Sequence, residues 1–247
     1  MISKAKVKFI KSLQLKKYRK EEQSFIVEGA KGVKELLQSE FEVSWLAGTP
    51  DFLNSINASG ISKKIEVVAA SESELSSLGS FNTNNSALAI ARILPNVAPK
   101  LNAEFVLVLD DIRDPGNLGT IIRTADWYGI KHIIASEETA DFYNPKVITA
   151  TMGSFCRVHV YYTSLINYLF GTDWPLYGAS LIGYSLYETN FGKEGFIVIG
   201  NESQGISPAI HSLISQHITI PRIGEAESLN ASIATAIILD NVFRLKK

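Results

Sequence analysis

Residues 105–130 read FVLVLDDIRDPGNLGTIIRTADWYGI, and they indicate the fold more strongly than any other part of the 247-residue chain. The stretch begins with the continuous apolar run from Phe105 to Leu109, which is typical of a parallel strand buried on both faces. A Gly-rich turn at residues 116–119 follows, and then a helix up to about Gly129. Its inward stripe would consist of Leu118, Ile121, Ile122 and Ala125. A buried strand, a permissive turn and an amphipathic helix predict a βα unit of an α/β protein.

The same alternation of strand and helix continues to the end of the chain. Apolar runs predict strands at residues 132–135, 158–161, 176–180, 196–199 and 218–220. Helices are predicted at residues 144–155 with Pro145 at the first position, after Ser207-Pro208, and at residues 228–243. We expect Ser228 to cap the last helix, with Ile233, Ala236, Ile237 and Leu239 facing inward. The pattern predicts a parallel sheet covered by helices.

The first part of the chain has a different organisation. Residues 3–20 are predicted to form one basic helix, and residues 71–79 a helix with a Ser71/Glu74 capping box. Another helix is expected at residues 29–37, and strands at residues 25–27, 43–46, 65–68 and 87–93. Residues 96–100, Asn-Val-Ala-Pro-Lys, have the composition of a linker. We therefore predict a small α/β domain at 1–95, a linker at 96–103 and a second domain at 104–247.

Composition excludes several classes of protein and indicates one kind of partner. The net charge is −1, yet cations crowd the start of the chain, at Lys4, Lys6, Lys8, Lys11, Lys16, Lys17, Arg19, Lys20, Lys31 and Lys34. A basic arm on a near-neutral body is a common arrangement for binding polyanions, although a solvated helix face has the same appearance. Cys156 is the only cysteine, so an intrachain disulfide and a zinc-type cysteine cluster are excluded. The absence of a signal peptide and of a 20-residue apolar run predicts a cytoplasmic protein without a membrane span.

Three turns combine permissive backbone with polar side chains where an apolar strand ends or a helix begins. They are Asp114-Pro115-Gly116-Asn117-Leu118-Gly119 with Arg123 following, Gly200-Asn201-Glu202-Ser203-Gln204-Gly205, and Ser228-Leu229-Asn230-Ala231-Ser232. Ligands of open α/β sheets bind outside the carboxyl ends of the strands, so we expect the three turns to form one shared site. Taken alone, Arg123 would be interpreted as an exposed helical arginine.

Other chemical interpretations of these turns are weaker. A nicotinamide site needs G-x-G-x-x-G, and the first turn has only two glycines, although Glu137 lies at a tolerable distance for a ribose contact. Asp110, Asp111 and Asp114 match a magnesium cluster only loosely, and we predict no metal site. The four histidines lack ligand spacing, which favours structural or surface roles.

Taken together, the three turns resemble the three ordered motifs of the SpoU (TrmH) family of RNA ribose 2′-O-methyltransferases, within the SPOUT superfamily. The matching residues are Asn117-x-Gly119-x-x-x-Arg123, Gly200-Asn201-Glu202-x-x-Gly205 and Ser228-Leu229-Asn230-x-Ser232-x-Ala234. The order and spacing match over residues 104–247. Phe25-Ile26-Val27-Glu28-Gly29 and the following helix resemble the N-terminal substrate-binding domain of many members.

The resemblance implies a fold, a cofactor and an assembly. Family members have a parallel sheet with a deep trefoil knot that holds S-adenosylmethionine, and they usually form homodimers through the knotted region. The first motif then completes the partner's site. By position, the cofactor-binding residues implied here are Ala179, Ser180, Leu181, Gly200, Asn201, Glu202, Ile220, Ser228, Leu229, Asn230 and Ser232.

The resemblance also implies the chemistry. Arg123 matches the family's catalytic arginine, for which a role as base has been proposed; because guanidinium is a poor base, we favour phosphate clamping and stabilisation of the developing alkoxide. Asn117, Glu202, Ser228 and Asn230 match the polar residues that shape the site, and Glu202 is expected to fix the loop backbone and the arginine geometry. No metal is needed.

The N-terminal domain favours 23S rRNA as the substrate over tRNA, and the residues expected to bind RNA are Lys4, Lys8, Lys11, Lys16, Lys17, Arg19, Lys20 and Arg123. The alternatives are a tRNA 2′-O-methyltransferase and a non-catalytic RNA-binding protein on the same fold. A nicotinamide enzyme is a distant third.

Overall fold

The computed structural model describes residues 2–56, 65–80 and 84–244. Its helices and strands, in chain order, are α1 (Lys4–Ser12), α2 (Lys16–Glu22), β1 (Ser24–Glu28), α3 (Ala30–Leu37), β2 (Val43–Gly48), α4 (Pro50–Ser55), β3 (Glu66–Ala69), α5 (Glu72–Leu78), β4 (Ala87–Arg92), β5 (Phe105–Asp110), α6 (Pro115–Trp127), β6 (His132–Ala135), α7 (Pro145–Ala150), β7 (His159–Tyr162), α8 (Leu165–Leu169), β8 (Leu176–Ser185), β9 (Gly195–Gly200), α9 (Pro208–His211), β10 (Gln216–Thr219) and α10 (Ala231–Arg244). The chain divides into two compact units, residues 1–95 with 141–156, and residues 96–140 with 157–247.

The second unit is built on a six-stranded sheet in the order β10-β8-β9-β5-β6-β7. Every neighbouring pair of strands is parallel, as the continuous apolar runs predict. β5 lies in the middle, and all six of its residues are buried. The predicted α/β class and parallel sheet are therefore confirmed.

The first unit contains a four-stranded sheet in the order β1-β4-β2-β3. β4 pairs antiparallel with both β1 and β2, while β2 pairs parallel with β3. The core beneath this sheet includes Ile10 and Leu13 from the start of the chain, both with no exposed surface. The inner face of the basic N-terminal segment therefore packs into the core of a folded domain.

The predicted single helix at residues 3–20 is wrong, because the chain forms two helices there. Leu15 has extended backbone, with φ of −97° and ψ of 131°, and it separates α1 from α2. Leu13 is buried at the same turn, so core packing holds the break in place.

Two other helix predictions need correction. The helix predicted at residues 144–155 ends at Ala150, because Met152 and Gly153 have positive φ and a 3-10 turn follows. The short helices α4 and α8 were not predicted. The inward stripe predicted for α10 is correct at Leu239 but wrong at Ile233, which is half exposed; Ser232 and Thr235 are buried instead.

Residues 141–156 belong to the first compact unit, although the predicted boundaries assign them to the second domain. Two aromatic rings of this segment pack on Phe25 of β1. The ring centroid of Phe25 lies 4.7 Å from that of Tyr143 and 6.2 Å from that of Phe155. Asp141 accepts hydrogen bonds from Arg19 of α2. The segment between β6 and β7 thus completes the core of the first unit.

Arg19 is a correction to the predicted RNA-binding set. Its side chain is 2 % exposed, and its guanidinium donates to Asp141 and to the carbonyl oxygens of Leu13 and Gln14. All of its described partners lie within the first unit. A buried guanidinium with these partners is structural and does not face RNA.

Candidate active site

A chain of side-chain hydrogen bonds connects the three predicted turns. Nδ2 of Asn117 donates to Oε1 of Glu202 over 2.6 Å, and Nδ2 of Asn230 donates to Oδ1 of Asn117 over 2.9 Å. A carboxylate only accepts hydrogen bonds, so Glu202 fixes which way round the Asn117 amide lies. The structure thus brings Asn117, Glu202 and Asn230 together, at the edge of the sheet where the expectation for parallel strands places them.

Local capping places the two asparagines. Oδ1 of Asp114 accepts from the backbone N–H of Asn117 over 2.8 Å, which caps α6. Oδ1 of Asn230 accepts from the backbone N–H and the hydroxyl of Ser232, over 2.9 and 2.6 Å. The prediction of Ser228 as the cap of α10 is therefore wrong: the helix begins at Ala231, Asn230 caps it, and Ser228 is exposed.

The second turn is a tight loop that leaves no room for larger residues. A Cβ on Gly200 would collide with the backbone of Gly205 and Ile206, so only glycine fits at that crossing. Asn201 and Gly205 exchange two backbone hydrogen bonds of 3.0 and 2.9 Å. Nδ2 of Asn201 also donates to the carbonyl of Asp111, a residue with a φ of 64°. These interactions hold Glu202 at the mouth of the loop.

The three aspartates considered as metal ligands have separate structural partners. Asp110 accepts from the backbone N–H of Ser207 over 2.7 Å, and Asp111 pairs with Arg113 over 2.7 Å. Asp114 caps α6, as described above. No group of three or more residues able to hold a metal ion occurs among the residues that the structure describes.

A cavity of about 1150 Å³ opens beside the hydrogen-bonded chain. Its wall combines residues 179–182 of β8, the loop after β9, the chain that follows β10, and Ala231, Ala234 and Ile238 of α10. Much of this wall is turn and extended backbone. The cavity therefore offers many main-chain N–H and C=O groups to a ligand, together with the apolar surface of Ile238.

A jump in strand pairing creates one side of this cavity. His217 of β10 pairs with Gly178, whereas the next residue, Ile218, pairs with Tyr184. Residues 179–183 of β8 consequently leave the line of the sheet and arch over the cavity. Gly183 permits the return, because a Cβ there would lie 2.6 Å from the carbonyl oxygen of His217.

The structure places most, but not all, of the predicted site residues around the cavity. Nine of the eleven predicted cofactor residues line it, namely Ala179, Ser180, Leu181, Gly200, Asn201, Glu202, Ile220, Ser228 and Leu229. Asn230 and Ser232 are not part of the wall: Asn230 caps α10, and Ser232 in its first turn donates hydrogen bonds to that cap. Arg123 is exposed and does not line the cavity, and its guanidinium has no hydrogen bond or ion pair with another residue in 2–56, 65–80 or 84–244. Glu202 accepts a hydrogen bond from Asn117, and its expected role in arginine geometry stays a prediction.

Sequence reasoning missed two histidines in the cavity wall. The rings of His211 and His217 lie 4.2 Å apart between centroids, and both residues line the cavity. Burial lowers the pKa of His217, and the neighbouring His211 lowers it further. Both effects favour the neutral form of His217. A spacing of six residues across a loop is no recognised ligand pattern, so the sequence contains no signal for this pair.

The parallel sheet with a cavity formed by three turns at its carboxyl edge defines a ligand-binding α/β protein. The sequence model of the SpoU rRNA Methylase family matches residues 104–240, and that of the MRM3-like substrate binding domain matches residues 4–89. The chain therefore belongs to the SpoU family of RNA methyltransferases, whose methyl donor is S-adenosylmethionine.

Individual relatives match over nearly the whole chain. The 23S rRNA (guanosine(2553)-2′-O)-methyltransferase RlmP of Bacillus subtilis is 31% identical over 239 residues, which are 95% of this chain and 94% of the relative. A solved RNA methyltransferase of the TrmH family from Porphyromonas gingivalis is 37% identical, with a TM-score of 0.90 and 99% of both chains covered. The AdoMet-bound rRNA methyltransferase of Sinorhizobium meliloti is 28% identical, with a TM-score of 0.87 over 99% of this chain and 96% of that chain.

The residues present fit S-adenosylmethionine. The crossing of Gly200 over Gly205 brings bare backbone to the cavity wall, where the polar edge of a nucleoside can bind. Ile238 and Leu229 line the cavity and would supply apolar surface for a base. When bound, this cofactor supplies a methyl group on a positively charged sulfur.

The Asn117 link can be tested by substitution. We expect Asn117→Ala to weaken cofactor binding by roughly ten-fold, because Glu202 and the Asn230 amide both lose their partner beside the cavity. Asn117→Asp is expected to be worse, since a second carboxylate would face Glu202. Isothermal titration with S-adenosylmethionine measures both. The matched control is Thr120→Ala in the same helix, which removes a hydroxyl that donates to the carbonyl oxygen of Gly116. Equal losses of cofactor affinity in the Asn117 and Thr120 variants would contradict the role assigned to Asn117.

Proposed function

We propose that the protein transfers a methyl group from S-adenosylmethionine to the 2′-hydroxyl of a ribose in 23S rRNA. The observation that carries the proposal is the Asn117–Glu202–Asn230 hydrogen-bond chain, which joins all three motifs beside the cavity. The match to RlmP over 95% of the chain, substrate-binding domain included, favours rRNA over tRNA. In this proposal the protein acts in the cytoplasm.

The cavity residues hold the methyl donor in this proposal. Main-chain groups of residues 200–205 and 220–229 bind its polar parts, and the neutral His217 adds no positive charge near the cationic sulfur. The pairing jump between His217 and Ile218 supports a trefoil knot, in which the chain after β10 passes beneath the arch of residues 179–183.

Arg123 acts on the RNA in this proposal. Its exposed guanidinium has no described partner that would hold it to its own protomer, and it lies outside the cofactor cavity. A planar guanidinium donates two parallel hydrogen bonds to a phosphate and stabilises negative charge on the attacking 2′-oxygen. It keeps its own proton, so the hydroxyl proton leaves to solvent or to another acceptor.

Homodimerisation through the knotted region is part of the same proposal. Large apolar side chains are exposed around the cavity, with Leu181 at 70%, Ile182 at 85% and Ile223 fully exposed. Apolar groups of this size that cluster at a rim are characteristic of protein interfaces. A partner protomer packed there would shield them and bring its own Arg123 towards the cavity.

The lysines of α1 and α2 are proposed to bind the RNA backbone. The exposed lysines include Lys4, Lys8, Lys11, Lys16 and Lys20. The Nζ atom of Lys17 lies 3.8 Å from Oε1 of Glu21, with which it forms an ion pair. Phosphate neutralisation by lysine releases counterions, so the affinity depends steeply on salt. The arm as a whole cannot be removed in a test, because Ile10 and Leu13 are core residues.

We expect the triple variant Lys4→Ala, Lys8→Ala, Lys11→Ala to bind RNA with a shallower dependence of log affinity on log salt concentration. The magnitude of the slope should fall by about 2 to 3, because each phosphate that is no longer neutralised contributes roughly 0.7 to 0.9. Filter binding of 23S rRNA between about 50 and 200 mM salt measures the slope. Lys31→Ala and Lys34→Ala on α3 serve as the control for a general loss of lysine charge. An unchanged slope in the α1 variant would contradict the assignment of these lysines to RNA binding.

The activity itself is tested by incubating the purified protein with labelled S-adenosylmethionine and unmethylated RNA. Label in 23S rRNA supports the proposal, and label in tRNA alone would redirect it to tRNA. A non-catalytic RNA-binding protein would bind RNA and transfer no label at all.

A further inference from the structure

The outer face of α6 presents a tryptophan to solvent one turn beyond Arg123. Trp127 is 85% exposed, more than any other large apolar side chain on this helix, which the structure describes in full. Residues four apart on a helix are neighbours on one face, about 6 Å apart along the axis. Arg123 and Trp127 therefore form a pair of a cation and an aromatic ring that project in the same direction.

The charge around this pair favours an anion. Asp126, the nearest acidic residue in sequence, is neutralised by Arg157 through contacts of 3.0 and 2.9 Å. Lys131 is exposed four residues beyond Trp127. The outer face of α6 thus carries one cation without a described side-chain partner, Arg123, one turn from an exposed indole, and the exposed Lys131 follows shortly after the helix ends.

We propose that Trp127 stacks on an unpaired RNA base next to the nucleotide whose ribose is methylated. This inference rests on the proposed function and adds a recognition residue to it. Aromatic side chains interleaved with cations are the general means by which proteins hold single-stranded RNA, because bases stack on rings while cations bind the phosphates. Arg123 binds the phosphate at the target, and Trp127 fixes the adjacent base, one helical turn away.

This face is poorly suited to be the core of a contact with a second copy of the chain, although the proposed dimer brings Arg123 towards the partner's cavity. Interface cores are depleted of charge, yet the exposed side chains of α6 are Thr120, Arg123 and Trp127, so the indole stands alone beside a cation. The apolar rim residues such as Ile182 and Ile223 provide a more suitable surface for a partner protomer.

The test uses Trp127→Ala and Trp127→Phe in the full-length protein, with unmodified 23S rRNA transcribed in vitro as the probe. We expect Trp127→Ala to raise the KM for RNA by about 5- to 150-fold, the range measured for loss of one stacked base. Trp127→Phe keeps a ring and should retain most of the affinity. The affinity for S-adenosylmethionine should be unchanged in both, because Trp127 does not line the cavity.

Fluorescence separates this inference from the proposed function. Trp45 is buried and Trp174 is half-buried, whereas Trp127 is exposed to acrylamide. The part of the acrylamide quenching that disappears in Trp127→Phe therefore comes from Trp127. RNA should protect Trp127 from the quencher whether or not methyl transfer occurs. An unprotected Trp127 in a wild-type protein that methylates RNA would overturn the inference and leave the function standing. Dissociation of a dimer by Trp127→Ala would overturn it in favour of a protein contact.

Discussion

Arg123→Ala is expected to lower the single-turnover rate of methyl transfer by about 10²- to 10³-fold, the usual cost of removing one donor to a developing oxyanion. The affinity for S-adenosylmethionine should stay within about three-fold of wild type, because Arg123 lies outside the cofactor cavity. The loss would therefore appear in the rate and in RNA binding, and not in cofactor binding. Rapid-quench assays with saturating cofactor, combined with calorimetry, separate the two effects.

Two further variants sharpen this prediction. Arg123→Lys keeps the charge without the planar fork, so electrostatic action predicts partial recovery with an unchanged pH–rate profile. A base at position 123 predicts a profile that moves when lysine replaces arginine. Arg244→Ala, an exposed arginine in the last turn of α10, is the control for general loss of positive charge. A rate within about three-fold of wild type in Arg123→Ala would refute the catalytic role.

Arg19→Ala is expected to lower the free energy of unfolding by about 3 to 5 kcal/mol, because it leaves Asp141 without its buried cation and frees two carbonyl oxygens. Domains of this size have only about 5 to 15 kcal/mol of stability, so the first unit would be close to unfolding. The ion pair has a length of 2.6 Å and joins α2 to the segment that begins at Asp141.

Urea denaturation followed by circular dichroism and by Trp45 fluorescence measures this effect, since Trp45 lies in the core of the first unit. Lys20→Ala, the exposed neighbour in α2, should change stability by no more than about 0.5 kcal/mol. A loss below about 1 kcal/mol for Arg19→Ala would contradict the structural role. If Arg19→Ala kept its stability but bound RNA more weakly, Arg19 would have to be counted among the RNA-binding residues again.

The sequence predicted those parts of the fold that depend on local patterns. β6 was predicted at residues 132–135 and lies there, because an apolar run is bounded by Gly129 and by polar Ser136. The capping box of Ser71 and Glu74 is present in α5 for the same reason. Both features are decided within a few residues of chain.

Features that depend on distant partners were not predictable. Arg19 has the composition of a solvated basic helix, and only Asp141, 122 residues away, makes it a core residue. The cap of α10 was misassigned because Ser228 and Asn230 are both good capping residues, and contact with Asn117 decides between them. Similarly, the motifs predicted which residues meet in the site but not that Glu202 would bond Asn117.

The proposed ribose methylation is most directly tested by mapping 2′-O-methyl groups in 23S rRNA from cells that lack this protein, before and after treatment with the purified enzyme and S-adenosylmethionine. Ribose methylation protects the adjacent phosphodiester from alkaline cleavage, so each position can be read along the whole RNA. We expect one protected ribose that is absent from the deletion strain, restored by wild-type protein and not restored by Arg123→Ala. Methyl groups that appear on bases only, or an unchanged 23S rRNA, would contradict the proposed reaction.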